Sequence, residues 1–272
     1  ELELGKENIT NFVESGFDHI HVTANNKAMR KLNKIGFIDM GFPYYGWLIS
    51  IFSAVTNVAL KYDIPLIFYG EDGEVEYGGS SENKNKAVFD LEYMVRAYFE
   101  GGYEKIIKKS GLDKKELFWF SLPKNSDIDN NRLVMTHMGY FEPWDSYRNY
   151  LVAKEHCGLK ESDLTNGGTF TNFSQTDQAL YSIHTYMMYL KFGFGRATQD
   201  AGIEIRRGSM DRSQAINLVR LYDGLYPDEF IETYLEYFQM IMDEFDAVLD
   251  RWVNKDLFEK VDGRWKPNFV VE

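Results

Sequence analysis

A continuous apolar run, Ile64, Pro65, Leu66, Ile67, Phe68 and Tyr69, closed by Gly70, constrains this chain more than any other feature. It follows directly on a long apolar stretch over residues 43–62. A short run without polar alternation reads as a strand buried on both faces, and the longer stretch before it as a helix. Upstream, Ile9, Phe12 and Val13 recur at helical spacing before Ser15 and Gly16, residues 18–23 alternate as a strand, and residues 26–35 read as a helix closed by Gly36. Helices alternating with buried strands predict an α/β fold with a parallel sheet. Ligands of such sheets bind beyond the carboxyl ends of the strands, where Gly70 to Gly79 follow.

Downstream the spacing predicts helices over 83–101, 103–109 and 146–156, a helical turn over 112–120 and a strand over 133–138. Phe141, Glu142, Pro143, Trp144 and Asp145 break the chain before the 146–156 helix. After Asn166, Gly167 and Gly168 the pattern is helical: 175–192, 213–222 and a long helix over 227–253. Two parts are expected, an α/β part over 1–165 and a mainly helical part over 166–272.

Composition narrows the function classes. Lys and Arg number 30 against 42 Asp and Glu, a net charge of −12, which opposes a broad nucleic-acid-binding face. Cys157 is the single cysteine, so no internal disulfide and no cysteine zinc site can be completed within these residues, and a reducing cytoplasm is the expected location. The apolar stretch over 47–60 is interrupted by Ser50, Ser53, Thr56 and Asn57 and falls short of the roughly 20 residues that span a bilayer, so a buried helix is expected. The stripe Phe230, Tyr234, Tyr237, Phe238, Met242 and Phe245 reads as internal packing, with a homo-oligomer surface as its other use.

Three constellations carry candidate chemistry. Glu71, Asp72, Glu74 and Glu76 crowd carboxylates between glycines, an arrangement that suits Mg²⁺ beside a nucleotide or a solvated acidic turn. Lys191, Arg196, Arg206, Arg207 and Arg212 form the densest cationic cluster, suited to a phosphate or to ion pairs with Asp200, Glu204 and Asp211. His184 and Lys191, seven apart, share a helix face. Asp145 or Ser146 fits a helix N-cap better than catalysis. HExxH, GxSxG, GxGxxG and Walker A sequences are absent.

The ordered segments Gly70-Glu71-Asp72 with Glu76-Tyr77-Gly78-Gly79, Gly139-Tyr140-Phe141-Glu142-Pro143-Trp144-Asp145, Lys191-Phe192-Gly193-Phe194-Gly195-Arg196-Ala197-Thr198 and Glu204-Ile205-Arg206-Arg207-Gly208 resemble the N-acetyl sugar amidotransferases of bacterial surface-polysaccharide biosynthesis. The resemblance runs over nearly all of the chain. It implies a PP-loop ATP pyrophosphatase with an adenine-nucleotide α-hydrolase-like sheet, which activates an acetamido oxygen with ATP before ammonia displaces AMP to leave an acetamidino group. On this resemblance Glu71 and Asp72 would serve Mg²⁺ and catalysis, and Lys191 would be catalytic. Lys191, Arg196, Arg206 and Arg207 would bind the nucleotide phosphates, and Glu76, Tyr77, Trp144 and Asp145 the sugar. A glutaminase with a cyclase-like partner would supply ammonia. The family's Ser-Gly-Gly-x-Asp-Ser loop and its zinc-binding cysteine pairs have no counterpart here, so both are expected upstream of Glu1, and these residues alone are expected not to hydrolyse ATP. A tRNA-modifying PP-loop enzyme and a non-catalytic assembly module are the other readings.

Overall fold

A computed structural model describes residues 1–70, 86–99, 102–130 and 132–272. They are mostly helical, with two small two-stranded sheets, one parallel and one antiparallel. The chain divides into two units, Glu1–His21 with Asp145–Glu272, and Val22–Trp144 between them in sequence. Helix α1 (Glu3–Glu14) opens the first unit.

The second unit begins with α2 (Asn26–Met40), whose N-terminus is capped by the Asn25 side chain accepting from Ala28 N at 3.0 Å. Helix α3 (Tyr45–Lys61) packs closely against α2 because glycines face the neighbour. A Cβ added to Gly36 would lie 2.5 Å from Tyr45 Cβ, and one added to Gly46 would lie 2.7 Å from Leu32 Cβ. Strand β1 (Leu66–Tyr69) follows, then α4 (Leu91–Tyr98), α5 (Glu104–Ser110), a 3₁₀ turn at Phe118–Phe120, α6 (Asn125–Asn130), β2 (Val134–His137) and a single turn α7 (Met138–Phe141). Strands β1 and β2 run parallel, in register from Leu66 opposite Val134 to Tyr69 opposite His137. Leu32, Tyr45, Ile49, Met94, Phe99, Phe120 and Met135 fill the core between these elements. The hydroxyls of α3 are satisfied locally: Ser53 Oγ donates to Ser121 O at 2.8 Å and Thr56 Oγ1 to Phe52 O at 2.6 Å. Among the described residues no helix is long and apolar enough to cross a membrane.

The first unit resumes with α8 (Ser146–Cys157), followed by α9 (Leu180–Phe192), α10 (Arg196–Arg206), α11 (Arg212–Tyr222), a 3₁₀ turn at Asp228–Phe230, α12 (Ile231–Phe238), α13 (Met242–Trp252) and the hairpin β3 (Phe258–Val261) and β4 (Arg264–Pro267). Helix α9 packs on α13, and α10 on α11. Ile183, Met187, Leu190, Tyr234, Phe238, Phe245 and Phe258 are buried. Helix α1 is tied to the end of α8 by side-chain amides: Asn8 exchanges hydrogen bonds with the Lys160 backbone at 2.9 and 2.8 Å, and Asn11 Nδ2 donates to Gly158 O at 2.8 Å.

Several expectations are corrected. The described residues contain one parallel strand pair, not the parallel sheet of a PP-loop domain. Residues 18–23 form no strand, since alternation alone cannot make one without a neighbour to complete the backbone hydrogen bonds. Strand β1 is buried on one face only: Ile67 is covered, whereas Leu66 and Phe68 are 50% and 49% exposed. Helix α2 runs through Gly36 and stops at Gly41, which takes the left-handed conformation at φ +63°. Within 83–101 the described helix starts only at Leu91, because Phe89 N is committed to Met135 O and the Asp90 side chain caps the helix. The helix expected from residue 175 starts at Leu180. The long helix over 227–253 is interrupted at Gln239, φ +50°, which separates α12 from α13. The hairpin was not anticipated, although Asp262 and Gly263, at φ +50° and +79°, make the two-residue turn that an Asp-Gly pair favours.

Candidate functional site

The two glycines of the Lys191 to Thr198 segment have different tasks. Gly193, at φ +78°, ends α9 in a conformation that a side chain resists. Gly195 lets the Asp223 carboxylate approach: its N–H donates to Asp223 Oδ2 at 2.8 Å, and an added Cβ would stand 2.6 Å from Asp223 Oδ1. Thr198 completes the arrangement, donating from Oγ1 at 2.6 Å and from its backbone N–H at 3.4 Å. Asp223 thus caps α10 from 28 residues away in sequence. Burial raises its pKa, with the donated hydrogen bonds opposing the rise. The N-terminal turn of α10, a position where helices attract anions, is occupied by a carboxylate of the chain itself.

One turn further, Arg196 Nε donates to Asp200 Oδ1 at 2.8 Å in a pair with side chains only 11% and 8% exposed. Thr169 Oγ1 donates to the other oxygen of Asp200 at 2.6 Å. This is one of the ion pairs weighed from sequence. Lys191 Nζ lies 5.3 Å from the centroids of both the Phe192 and the Trp252 rings, a cation held against aromatic faces. His184, on the same face of α9, has its pKa depressed to about 3, first by burial and then by the charges of Lys191 and Arg196. Arg206 is exposed, and Arg212 reaches the carbonyl oxygen of Glu272 at 2.6 Å.

Two sequence segments that looked unrelated meet at Arg207. Its Nη1 lies 2.7 Å from Asp145 Oδ1 and 3.5 Å from Glu204 Oε1. Asp145 is also the N-cap of α8, accepting from Arg148 N at 2.9 Å, as its position before the helix suggested. The Arg207 guanidinium lies 5.8 Å from the Tyr147 ring. Behind Tyr147, Tyr150 stacks on Phe173 with centroids 4.5 Å apart and planes 17° apart. The Trp144 indole nitrogen is shielded from solvent and has no hydrogen-bond partner.

Glu71, Asp72, Glu74, Glu76 and Tyr77 lie outside the described residues. Among the described residues no group of three His, Cys, Asp or Glu side chains is placed to hold a metal ion. Two of the four cations expected at phosphates, Arg196 and Arg207, are already engaged with carboxylates.

Two features escaped sequence reading. Asp223 carries no local signal, because its partners are remote in the chain. A small cleft of about 10 Å³ is lined by Tyr186, Tyr226, Asp246, Lys260, Arg264 and Trp265. In it the Arg264 guanidinium sits 3.4 Å above the Tyr226 ring, and Lys260 and the Trp265 indole both donate to Asp250. It depends on the unanticipated hairpin.

Residues 167–269 match the family model described as LPS biosynthesis protein WbpG-like, C-terminal domain. That segment, which contains α9 through β4 and the Asp200 and Asp223 contacts, is similar to the C-terminal domain of an LPS biosynthesis protein. No curated protein matches the chain.

Proposed function

We propose that this chain belongs to an ATP-dependent amidotransferase that converts the acetamido group of an N-acetylated sugar to an acetamidino group in bacterial surface-polysaccharide biosynthesis. The observation that carries the reading is the WbpG-like match over 167–269, which spans the Lys191 to Thr198 and Glu204 to Gly208 segments. An amide is a poor electrophile. Adenylation of its oxygen with loss of pyrophosphate makes that oxygen a leaving group, and ammonia then displaces AMP.

In this reading Glu71 and Asp72 would hold the metal ion, and Lys191 and Arg206 would bind the nucleotide phosphates. Arg196 and Arg207, bound by carboxylates, hold the frame: Arg196 holds Asp200, which accepts from Thr169 in the loop before α9, and Arg207 joins the end of α10 to the start of α8. The substrate residues are Glu76, Tyr77, Trp144 and Asp145, and a glutaminase with a cyclase-like partner supplies ammonia.

The test supplies the natural full-length protein with ATP, ammonium and an N-acetylated sugar. AMP should appear only when sugar and ammonium are both present, and mass spectrometry should find NH in place of the amide oxygen. Lys191→Ala should lower kcat by about 100-fold, the scale for losing one preorganised charge, with the circular dichroism spectrum unchanged. AMP release that ignores the sugar, or a Lys191→Ala variant of normal turnover, would overturn the proposal or remove that residue from it.

A further inference from the structure

We infer that the face built by Tyr147, Arg207, Asp145 and Glu204 binds the ring of an uncharged sugar, a subsite for the substrate of the amidotransferase reading, on which the choice of sugar over other flat ligands rests. Three observations converge on it. Tyr147 sits in the first turn of α8 and is 47% exposed, an aromatic residue open to solvent. It is backed by Tyr150 and Phe173, whose rings lie 5.8 and 6.3 Å away, so its position is supported by packing. Beside it lies Arg207, whose side chain is 22% exposed and whose guanidinium uses only Nη1 to reach Asp145 and Glu204. The Nε and Nη2 edge makes no hydrogen bond to a described residue.

The charge balance at this face selects the ligand. One guanidinium is bracketed by two carboxylates, so its charge is already balanced, which disfavours a phosphate there. A neutral ligand that both donates and accepts is favoured, because the guanidinium can only donate and the carboxylates can only accept. Neighbouring hydroxyls of a pyranose meet both demands. The C–H face of the same ring is apolar and covers an aromatic side chain, as an amphipathic ligand covers an amphipathic surface. In this arrangement Tyr147 supplies the platform, Arg207 donates to two adjacent oxygens, and Asp145 and Glu204 accept hydrogen bonds from hydroxyls while holding the guanidinium in place.

Saturation-transfer NMR on the full chain tests this with three probes: N-acetyl-D-glucosamine, adenosine and pyrophosphate. The sugar should receive saturation from the protein. Tyr147→Ala and Arg207→Lys should each weaken its Kd by about tenfold, whereas Tyr147→Phe should leave it unchanged. Tyr147 is exposed, so its removal leaves the fold intact, and Arg207→Lys keeps the charge while losing the planar donor edge. Pyrophosphate should not displace the sugar. The inference is overturned if the wild-type chain does not bind the sugar, if Tyr147→Ala binds it as the wild type does, or if adenosine or pyrophosphate is the probe whose binding these variants abolish. Normal KM for the sugar in an active Tyr147→Ala enzyme would overturn this subsite and leave the amidotransferase reading standing. Sugar binding that depends on Tyr147 in a protein that never forms AMP would do the reverse.

Discussion

His184 shows what a single residue gains and loses in this interior. Its folded pKa of about 3 lies below the ordinary 6.5, because burial and two nearby cations oppose a second ring proton. A base with a depressed folded pKa stays neutral in the fold and takes up a proton on unfolding. The stability it contributes is therefore complete above pH 6.5 and falls as pH drops from there toward 3. Asp177 and Asp223 act in the opposite sense, since burial raises their pKa values and the folded form takes up their protons before the unfolded chain does as the solution becomes acidic. Urea unfolding at pH 7 and at pH 5, compared between the wild type and a variant without the imidazole, isolates the His184 contribution. The wild type should lose stability between the two, and His184→Leu should lose less, with a slope smaller by up to about one proton. Equal slopes would show that His184 does not titrate on unfolding.

At the scale of elements, α10 depends on a carboxylate delivered from beyond α11. Gly195→Ala would push a methyl group to within 2.6 Å of Asp223 Oδ1 and displace the cap. We expect a loss of about 1 to 3 kcal/mol, the range for overpacking a close contact or leaving a buried polar group unpaired. Thr198→Val removes one of the donors and should lose less, about 1 kcal/mol. Urea denaturation of both variants checks the order, and a neutral Gly195→Ala would mean that Asp223 does not cap α10. The same elements show where periodicity misleads. A glycine reads as a helix end, yet Gly36 lies inside α2 because Tyr45 of α3 needs the space that a side chain would fill. Conversely, an uninterrupted helical pattern over 227–253 hides the break at Gln239, because apolar spacing continues across the turn.

For the molecule as a whole, residues from the start of the chain are part of the unit formed by its second half. Asn8 and Asn11 satisfy the backbone where α8 ends, at Gly158 and Lys160. Replacing both by Ala should raise the amide exchange rate of Lys160 by about tenfold or more without changing exchange in α2 or α3, as expected when stability is lost locally. Exchange unchanged at Lys160 would mean that α1 does not hold this end of α8. This organisation has no trace in local sequence, since the contacts join positions about 150 residues apart.

Sequence by itself determined the helices whose signals are local: α1, α3, α8 and α11 lie where spacing placed them, and Asp145, one of the two residues that fitted an N-cap there, caps α8. It also marked the WbpG-like segment through the Lys191 to Gly208 motifs. Tertiary structure alone decided which charges meet. Arg196 with Asp200 could be weighed from spacing, but Arg207 with Asp145 and Gly195 with Asp223 could not. Helix capping and amphipathicity act over a few residues and leave a readable pattern. Ion pairing and close packing act through space, and their partners carry no mark of one another until the chain is folded.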